Sequence, residues 1–155
     1  MAGILFTNKQ IALVGYNSKT GKIVGIGGKK KRNELPYQTA LRETIEELFE
    51  LTIGIDEIIT TLSSKLVFDE CISRNGYSTF IMSFKDLETV ISVVSVCGIP
   101  SRVYSRLPIS IHELLLSRTQ SLYAEITSLV LIPCINNFEV SQCLLNDLKT
   151  FTCTE

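Results

Sequence analysis

From Pro36 to Glu50 the chain carries two kinds of residue in helical register. On a wheel advancing about 100° per residue, Glu43, Glu46, Glu47 and Glu50 fall within an arc of about 100°. Tyr37, Leu41, Ile45, Leu48 and Phe49 occupy the opposite side. The spacing predicts a helix over Pro36–Glu50, with Pro36 in the first turn, where its missing N–H costs nothing. Such a helix must bury its apolar face in a core. Its carboxylate face must look at something else, because acids at i, i+3 and i+4 repel one another without a counter-charge.

The flanks say what kind of core this is. Ile11–Tyr16 reads as an apolar strand, Asn17–Gly21 as a turn and Lys22–Ile26 as a second strand. Gly25, Gly27 and Gly28 follow as a glycine-rich turn. Lys65–Ser73 and Tyr77–Phe84 read as strands joined by Arg74-Asn75-Gly76, a hairpin signal. Asp86–Cys97 fits a helix or a strand equally. Val103–Ile109 reads as a strand, and Ser110–Arg118 as a short helix in which Ser110 and Glu113 have capping-box spacing. Tyr123–Ile135 is mixed, and Phe138–Phe151 reads as an amphipathic helix. Strands interspersed with few helices predict a mixed α/β or α+β sandwich. At 155 residues, without repeats or a low-complexity linker, the expectation is a single domain over 1–155.

Composition closes several classes. Apolar residues are 45% of the chain and charged residues 20%, enough to bury a core, which excludes wholesale disorder. No apolar run nears the roughly 20 residues of a membrane span. Met1–Phe6 is too short and lacks the basic lead of a secretory signal. The five cysteines are odd in number and none are paired as CxxC, so they are expected to be reduced, mostly buried thiols in a cytoplasmic protein. With one histidine, a structural zinc site is not expected. Net charge is −1, but its distribution is uneven. The first 33 residues hold seven Lys/Arg and no acid; Glu34–Glu57 holds seven acids and one base, Arg42.

Chemistry follows from that juxtaposition. Glu43, Glu46 and Glu47 offer hard oxygen donors on one helix face, the ligand type that Mg²⁺ and Mn²⁺ prefer. Such a cation activates water and polarises phosphoryl oxygens. Glycine-rich backbone at Gly27-Gly28, beside Lys29, Lys30, Lys31 and Arg32, offers a close approach and positive charge to a phosphate group. The residues therefore point to metal-assisted attack on a phosphate ester or anhydride. A solvated acidic helix face is the plain alternative. A Walker-type phosphate loop is excluded by the glycine spacing.

The same residues resemble a known family. Gly28, Glu34, Arg42-Glu43 and Glu46-Glu47 reproduce the spacing of the Nudix box, Gly-x5-Glu-x7-Arg-Glu-U-x-Glu-Glu-x-Gly-U, where U is bulky and apolar. Three positions depart: Thr44 stands at an apolar position, Phe49 replaces the closing glycine, and Glu50 takes the last apolar position. Glycine there normally ends the helix in a left-handed conformation that phenylalanine avoids, so the helix is expected to continue or to exit differently.

The resemblance implies a Nudix α/β/α sandwich with a mixed sheet and hydrolysis of a diphosphate linkage in a nucleoside-diphosphate-linked substrate. It implies that Glu43, Glu46 and Glu47, with the backbone at Gly28, bind Mg²⁺ or Mn²⁺, and that Glu46 or Glu47 assists water deprotonation. Arg42 would orient the catalytic carboxylates and Glu34 would support them from behind. Small nucleotides and an mRNA cap (decapping) are both open as substrates. Lys29–Arg32 would steer a polyanion such as RNA. Asp69, Glu70 and Glu125 are candidates for a further acid outside the box. A homodimer is allowed and a membrane partner is not expected. The alternatives are a Nudix-fold nucleotide- or RNA-binding module without turnover, and a regulatory protein.

Overall fold

The chain begins with its central strand. β1 (Ala2–Phe6) is buried at all five residues. Its side chains alternate between two apolar clusters: Ala2, Ile4 and Phe6 belong to the larger and Leu5 to the smaller. A strand buried on both faces reads as a continuous apolar run rather than an alternating one, so nothing in Met1–Phe6 marks it as a strand. In this computed structural model, residues 1–121, 123–134 and 144 are described.

β2 (Ile11–Asn17) and β3 (Lys22–Val24) follow the expected strand–turn–strand course, but the second strand stops at Val24, and Gly27 and Gly28, expected in a turn, lie in β4 (Ile26–Gly28), which pairs with β1. The helix α1 (Pro36–Phe49) comes next, then α2 (Asp56–Lys65), β5 (Cys71–Arg74), β6 (Tyr77–Met82), α3 (Phe84–Ser95), α4 (Ile111–Leu116) and β7 (Ser128–Pro133). Four strands form a mixed sheet in the order β4-β1-β6-β5, in which only the β1–β6 pair is parallel. Three strands form an antiparallel sheet in the order β3-β2-β7. The architecture is thus mixed α+β with two sheets, as the pattern of elements predicts.

α1 packs on β1 and β4. Leu41, Ile45, Leu48 and Phe49 are fully buried, so the apolar side of the helix faces the core as the wheel requires. Thr44 is buried too, and its hydroxyl donates to the Ala40 carbonyl at 2.8 Å. That bond lets a polar residue occupy a position where an apolar one is usual.

The end of α1 explains the missing glycine. The helix runs one residue further, and Glu50 takes the left-handed conformation at φ 52° and ψ 43°. The last four carbonyls, which have no partners within a helix, are all satisfied. Glu46 accepts from the Glu50 N–H at 3.0 Å and Phe49 from the Ser101 hydroxyl at 2.6 Å. Glu47 and Leu48 accept from the Arg118 guanidinium, at 3.1 and 2.6 Å. The Phe49 ring packs against Tyr104, with centroids 6.4 Å apart.

Several expectations change. Residues 103–109 form no strand: the Ser101 hydroxyl accepts from the Val103 and Tyr104 N–H groups, and Thr119 donates twice to the Val103 carbonyl. With those groups taken, no ladder is available. Of Lys65–Ser73 only the end is strand: Lys65 closes α2, a helix whose Thr- and Ser-rich composition hides it, residues 66–70 are irregular, and β5 runs over Cys71–Arg74. Asp86–Cys97 is settled as helix by Ser83, which caps α3 reciprocally with Asp86. At α4, Ser110 accepts from the Glu113 N–H, but Glu113 reaches the Ile109 N–H instead of closing the box on Ser110. Of the described cysteines Cys134 is buried, Cys97 is half-buried and Cys71 is exposed on an edge strand; all are free thiols. The expected helix over Phe138–Phe151 lies outside the described residues, Leu144 excepted, as do Cys143 and Cys153. No helix among the described residues is long and apolar enough to cross a membrane.

Candidate active site

Arg42 organises the carboxylate face of α1. It is only 5% exposed, and each of its five N–H groups is used. Nε donates to Glu34 Oε1 at 2.7 Å, and Nη2 to Glu34 Oε2 at 3.1 Å, a bidentate pair. Nη2 also donates to the Lys29 carbonyl at 2.7 Å. Nη1 donates to Glu43 Oε1 at 2.7 Å and Glu46 Oε2 at 3.0 Å. Burial opposes the charge on Arg42, but the bonds to Glu34 and Glu43 outweigh it and raise its pKa further. The one base in the acidic segment is thus the group that counters it. It also ties the basic loop to the helix, because Lys31 N–H donates to Glu34 Oε2 at 2.9 Å.

Glu34 accepts from Arg42, the Lys31 amide and the Thr39 hydroxyl. The Arg42 bond does most to lower its pKa to about 2, against the cost of burial. Glu34 therefore stays ionised and anchors Arg42.

The next carboxylates behave differently. Glu43 lies against Gly28, where a Cβ would fall 2.5 Å from the carboxylate and would push it from its place beside Arg42. Burial raises the Glu43 pKa, and Arg42 opposes that rise. Glu46 accepts from Arg42 and pairs with Lys31 Nζ at 3.4 Å. Glu47 accepts the Gly27 N–H at 2.7 Å. Burial pushes its carboxyl up to about 8; the Gly27 amide works against that, and Glu43, Glu125 and Glu46 add to it. Burial is the main reason that Glu43 and Glu47 resist ionisation, and a local excess of carboxylates over cations adds to it.

That imbalance, with four hard oxygen donor groups and a glycine cradle, fits a hard divalent cation in chemistry. The side chains do not converge as a ready ligand set: no three acidic, histidine or cysteine side chains do so among the described residues. Arg42 stands between Glu43 and Glu46, and Glu47 is turned to the Gly27 amide.

The remaining expected residues separate. Glu125 is exposed on the segment before β7 and lines, with Glu47, Gly27 and Tyr77, a cleft of about 280 Å³. Asp69 and Glu70 line another depression, with Lys9, Lys65 and Asp86, that shares no residue with this cleft. Lys29, Lys30, Lys31 and Arg32 are all exposed. Lys31 pairs with Glu46, while Lys29 contributes its carbonyl to Arg42. A further cavity of about 500 Å³ between α2 and α3 contains none of the expected site residues.

Sequence reasoning overlooks Gly27 as the amide that holds Glu47, Thr39 as a support of Glu34, and Ser101 and Arg118 at the helix end. The signal for the last two is indirect: without a closing glycine, something else must take the terminal carbonyls. Comparison with protein-family models finds no match for this chain, and comparison with curated proteins finds none either.

Proposed function

We propose that the protein is a metal-dependent hydrolase of the Nudix type that cleaves a diphosphate linkage in nucleoside-diphosphate-linked substrates. The observation that carries the reading is the Arg42 network, in which one buried guanidinium holds Glu34, Glu43 and Glu46 together beside the Gly27-Gly28 backbone. Its members are the residues of the box, in the mutual contacts that their spacing implies. The helix that carries them packs on a mixed sheet directly after the strand that ends at Gly28, which supports an α/β/α sandwich of the Nudix type.

Glu43, Glu46 and Glu47, with the Gly28 backbone, would hold Mg²⁺ or Mn²⁺. When bound, the cation supplies a more acidic water and a polarised phosphoryl oxygen. Arg42 orients Glu43 and Glu46, and Glu34 fixes Arg42. Glu47 is the better candidate base: it is half-buried at the cleft, and its raised pKa makes the ionised carboxylate a stronger proton acceptor. The cleft takes the organic part of the substrate beside Glu47. The exposed basic loop lies on the Glu46 side and draws the polyanionic part. A mononucleotide derivative and a capped RNA both meet this description.

The test is a phosphate-release and chromatographic screen with Mg²⁺ and Mn²⁺. It covers nucleoside triphosphates, nucleotide sugars, dinucleoside polyphosphates, NADH, ADP-ribose and capped RNA, with Glu47→Gln protein as blank. Metal-dependent cleavage absent from the blank supports the reading and names the substrate class. A second reading, a nucleotide- or RNA-binding module without turnover, is favoured by one observation: Arg42 already engages Glu43 and Glu46, and the donors do not converge. Binding without cleavage by folded protein would select it.

A further inference from the structure

Tyr77 opens β6, two strands away from β4, yet its hydroxyl meets Gly27 of β4. The strand between them, β1, makes that reach possible. Gly3 of β1 stands directly opposite Gly27 in the antiparallel register. A Cβ on Gly3 would fall 2.5 Å from the Tyr77 hydroxyl oxygen, and one on Gly27 would fall 2.2 Å from it. The hydroxyl therefore fills the space that two absent side chains leave. Gly27 has φ 153°, a conformation that side chains rarely adopt, and its Cβ would also fall 2.5 Å from the Gly3 Cα.

β4 is three residues long, ends its sheet and pairs with β1 alone among the described strands. Its place across the sheet is therefore set by what touches its two faces. On the α1 side, Glu43 lies against Gly28. On the other side, Tyr77 lies against Gly27. Tyr77 shares its face of β6 with Ile81, which packs in the smaller cluster with Leu5. The Gly27 N–H donates to Glu47 Oε2 at 2.7 Å, and Tyr77, Gly27 and Glu47 line one cleft.

We infer that Tyr77 is a positioning residue for Glu47: its hydroxyl packs β4 from the cleft side and so sets the place of the Gly27 amide that aims the Glu47 carboxyl. Tyr77 acts through the backbone and needs no contact with substrate. Its consequence for turnover rests on the hydrolase reading above; its hold on Gly27 does not. A carboxyl fixed at one oxygen presents the other in a constant direction, and misplacing such a group costs rate rather than binding.

The probe is the Gly27 amide of ¹⁵N-labelled, metal-free protein, in wild type, Tyr77→Phe and Glu47→Ala. Tyr77→Phe keeps the ring and removes only the hydroxyl; circular dichroism checks that it is folded. Glu47→Ala marks the resonance of a Gly27 amide that has lost its acceptor. In Tyr77→Phe the Gly27 resonance should move toward that position, and its hydrogen exchange should speed about tenfold, the equivalent of one hydrogen bond. The Ile4 and Ile26 amides should stay as in wild type, which a general loosening of the sheet would not allow. With the substrate that the screen above identifies, Tyr77→Phe should lower kcat about tenfold and leave KM within about twofold. In a Glu47→Gln background it should cost nothing further. A wild-type Gly27 resonance and exchange rate in folded Tyr77→Phe would overturn the inference and leave the hydrolase reading intact. So would a raised KM at unchanged kcat, which would make Tyr77 a substrate contact. Absence of turnover in the wild type would overturn the hydrolase reading instead, and the Gly27 amide would still decide for or against the role of Tyr77.

Discussion

Arg42 Nε lies 2.7 Å from Glu34 Oε1, and this bond joins the basic loop to the helix that carries the other acids. The pair is largely buried, with 6% and 18% of the two side chains exposed. Removing Arg42 leaves Glu34, Glu43 and Glu46 without their shared counter-charge rather than a neutral gap. Arg42→Ala should lower stability by about 3–5 kcal/mol, the range for breaking a buried pair from one side. Urea denaturation checks it. Glu34→Gln should cost less, because the amide oxygen still accepts from Arg42 Nε.

Glu34 and Glu47 give the stability opposite pH dependences. The folded pKa of Glu34 is lowered from 4.5 to about 2, so its contribution is full above about 4.5 and is lost as pH falls through 2. The folded pKa of Glu47 is raised from 4.5 to about 8, so the folded state holds a proton that the unfolded state releases. Its contribution is full below 4.5 and is lost as pH rises through 8. Metal-free protein should therefore lose stability between pH 5 and pH 8, and Glu47→Gln should flatten that limb. Urea melts at a series of pH values measure both.

Cation binding and Glu47 ionisation should be linked. A ligand carboxyl must lose its proton, so Mn²⁺ should displace protons and bind more tightly as pH rises toward 8. Calorimetry in buffers of different ionisation enthalpy reads the proton count directly. Equal affinity at pH 6 and pH 8 would remove Glu47 from the ligand set.

On the hydrolase reading proposed above, turnover should depend most on the same residue. Glu47→Gln should reduce kcat by roughly 10²–10⁴-fold, the span of general acid–base contributions, with the folded circular dichroism spectrum unchanged. Near-normal kcat in both Glu46→Gln and Glu47→Gln would refute the assignment of the site.

The basic loop supplies a test of substrate length. Lys31 is tied to Glu46, so Lys30 and Arg32 are the cleaner probes. The Lys30→Ala/Arg32→Ala variant should raise KM for a long RNA more than for a mononucleotide derivative, and should shallow the salt dependence of the RNA reaction. Equal effects on both substrates would remove the argument for RNA as a substrate.

How far the sequence could be read depends on the range of the interactions concerned. α1 was legible because its boundaries and faces are set by residues within it and by Pro36 at its start. The grouping of Glu34, Arg42, Glu43 and Glu46 was legible only through the resemblance of their spacing to a known motif, not from periodicity alone. β1 was hidden by burial on both faces, which erases alternation. Residues 103–109 look like a strand by composition, yet Ser101 and Thr119 take their backbone groups first. The role of Arg118 was invisible because it joins residues 70 positions apart through main-chain oxygen, which leaves no side-chain pattern to detect.

The glycine that would close the helix by itself is absent, and its work passes to Ser101 and Arg118. That exchange has a consequence for how the chain acquires its shape. A closing glycine acts as soon as its own few residues are made. Ser101 and Arg118 act across separations of 52 and 70 residues. Glu50 caps the last turn locally, but the Glu47, Leu48 and Phe49 carbonyls gain their partners only after Arg118 has left the ribosome and a long loop has closed, a slower event than any local turn. Until then the turn bearing Glu46 and Glu47 is only partly held, so these acids should be among the last groups to reach their final places.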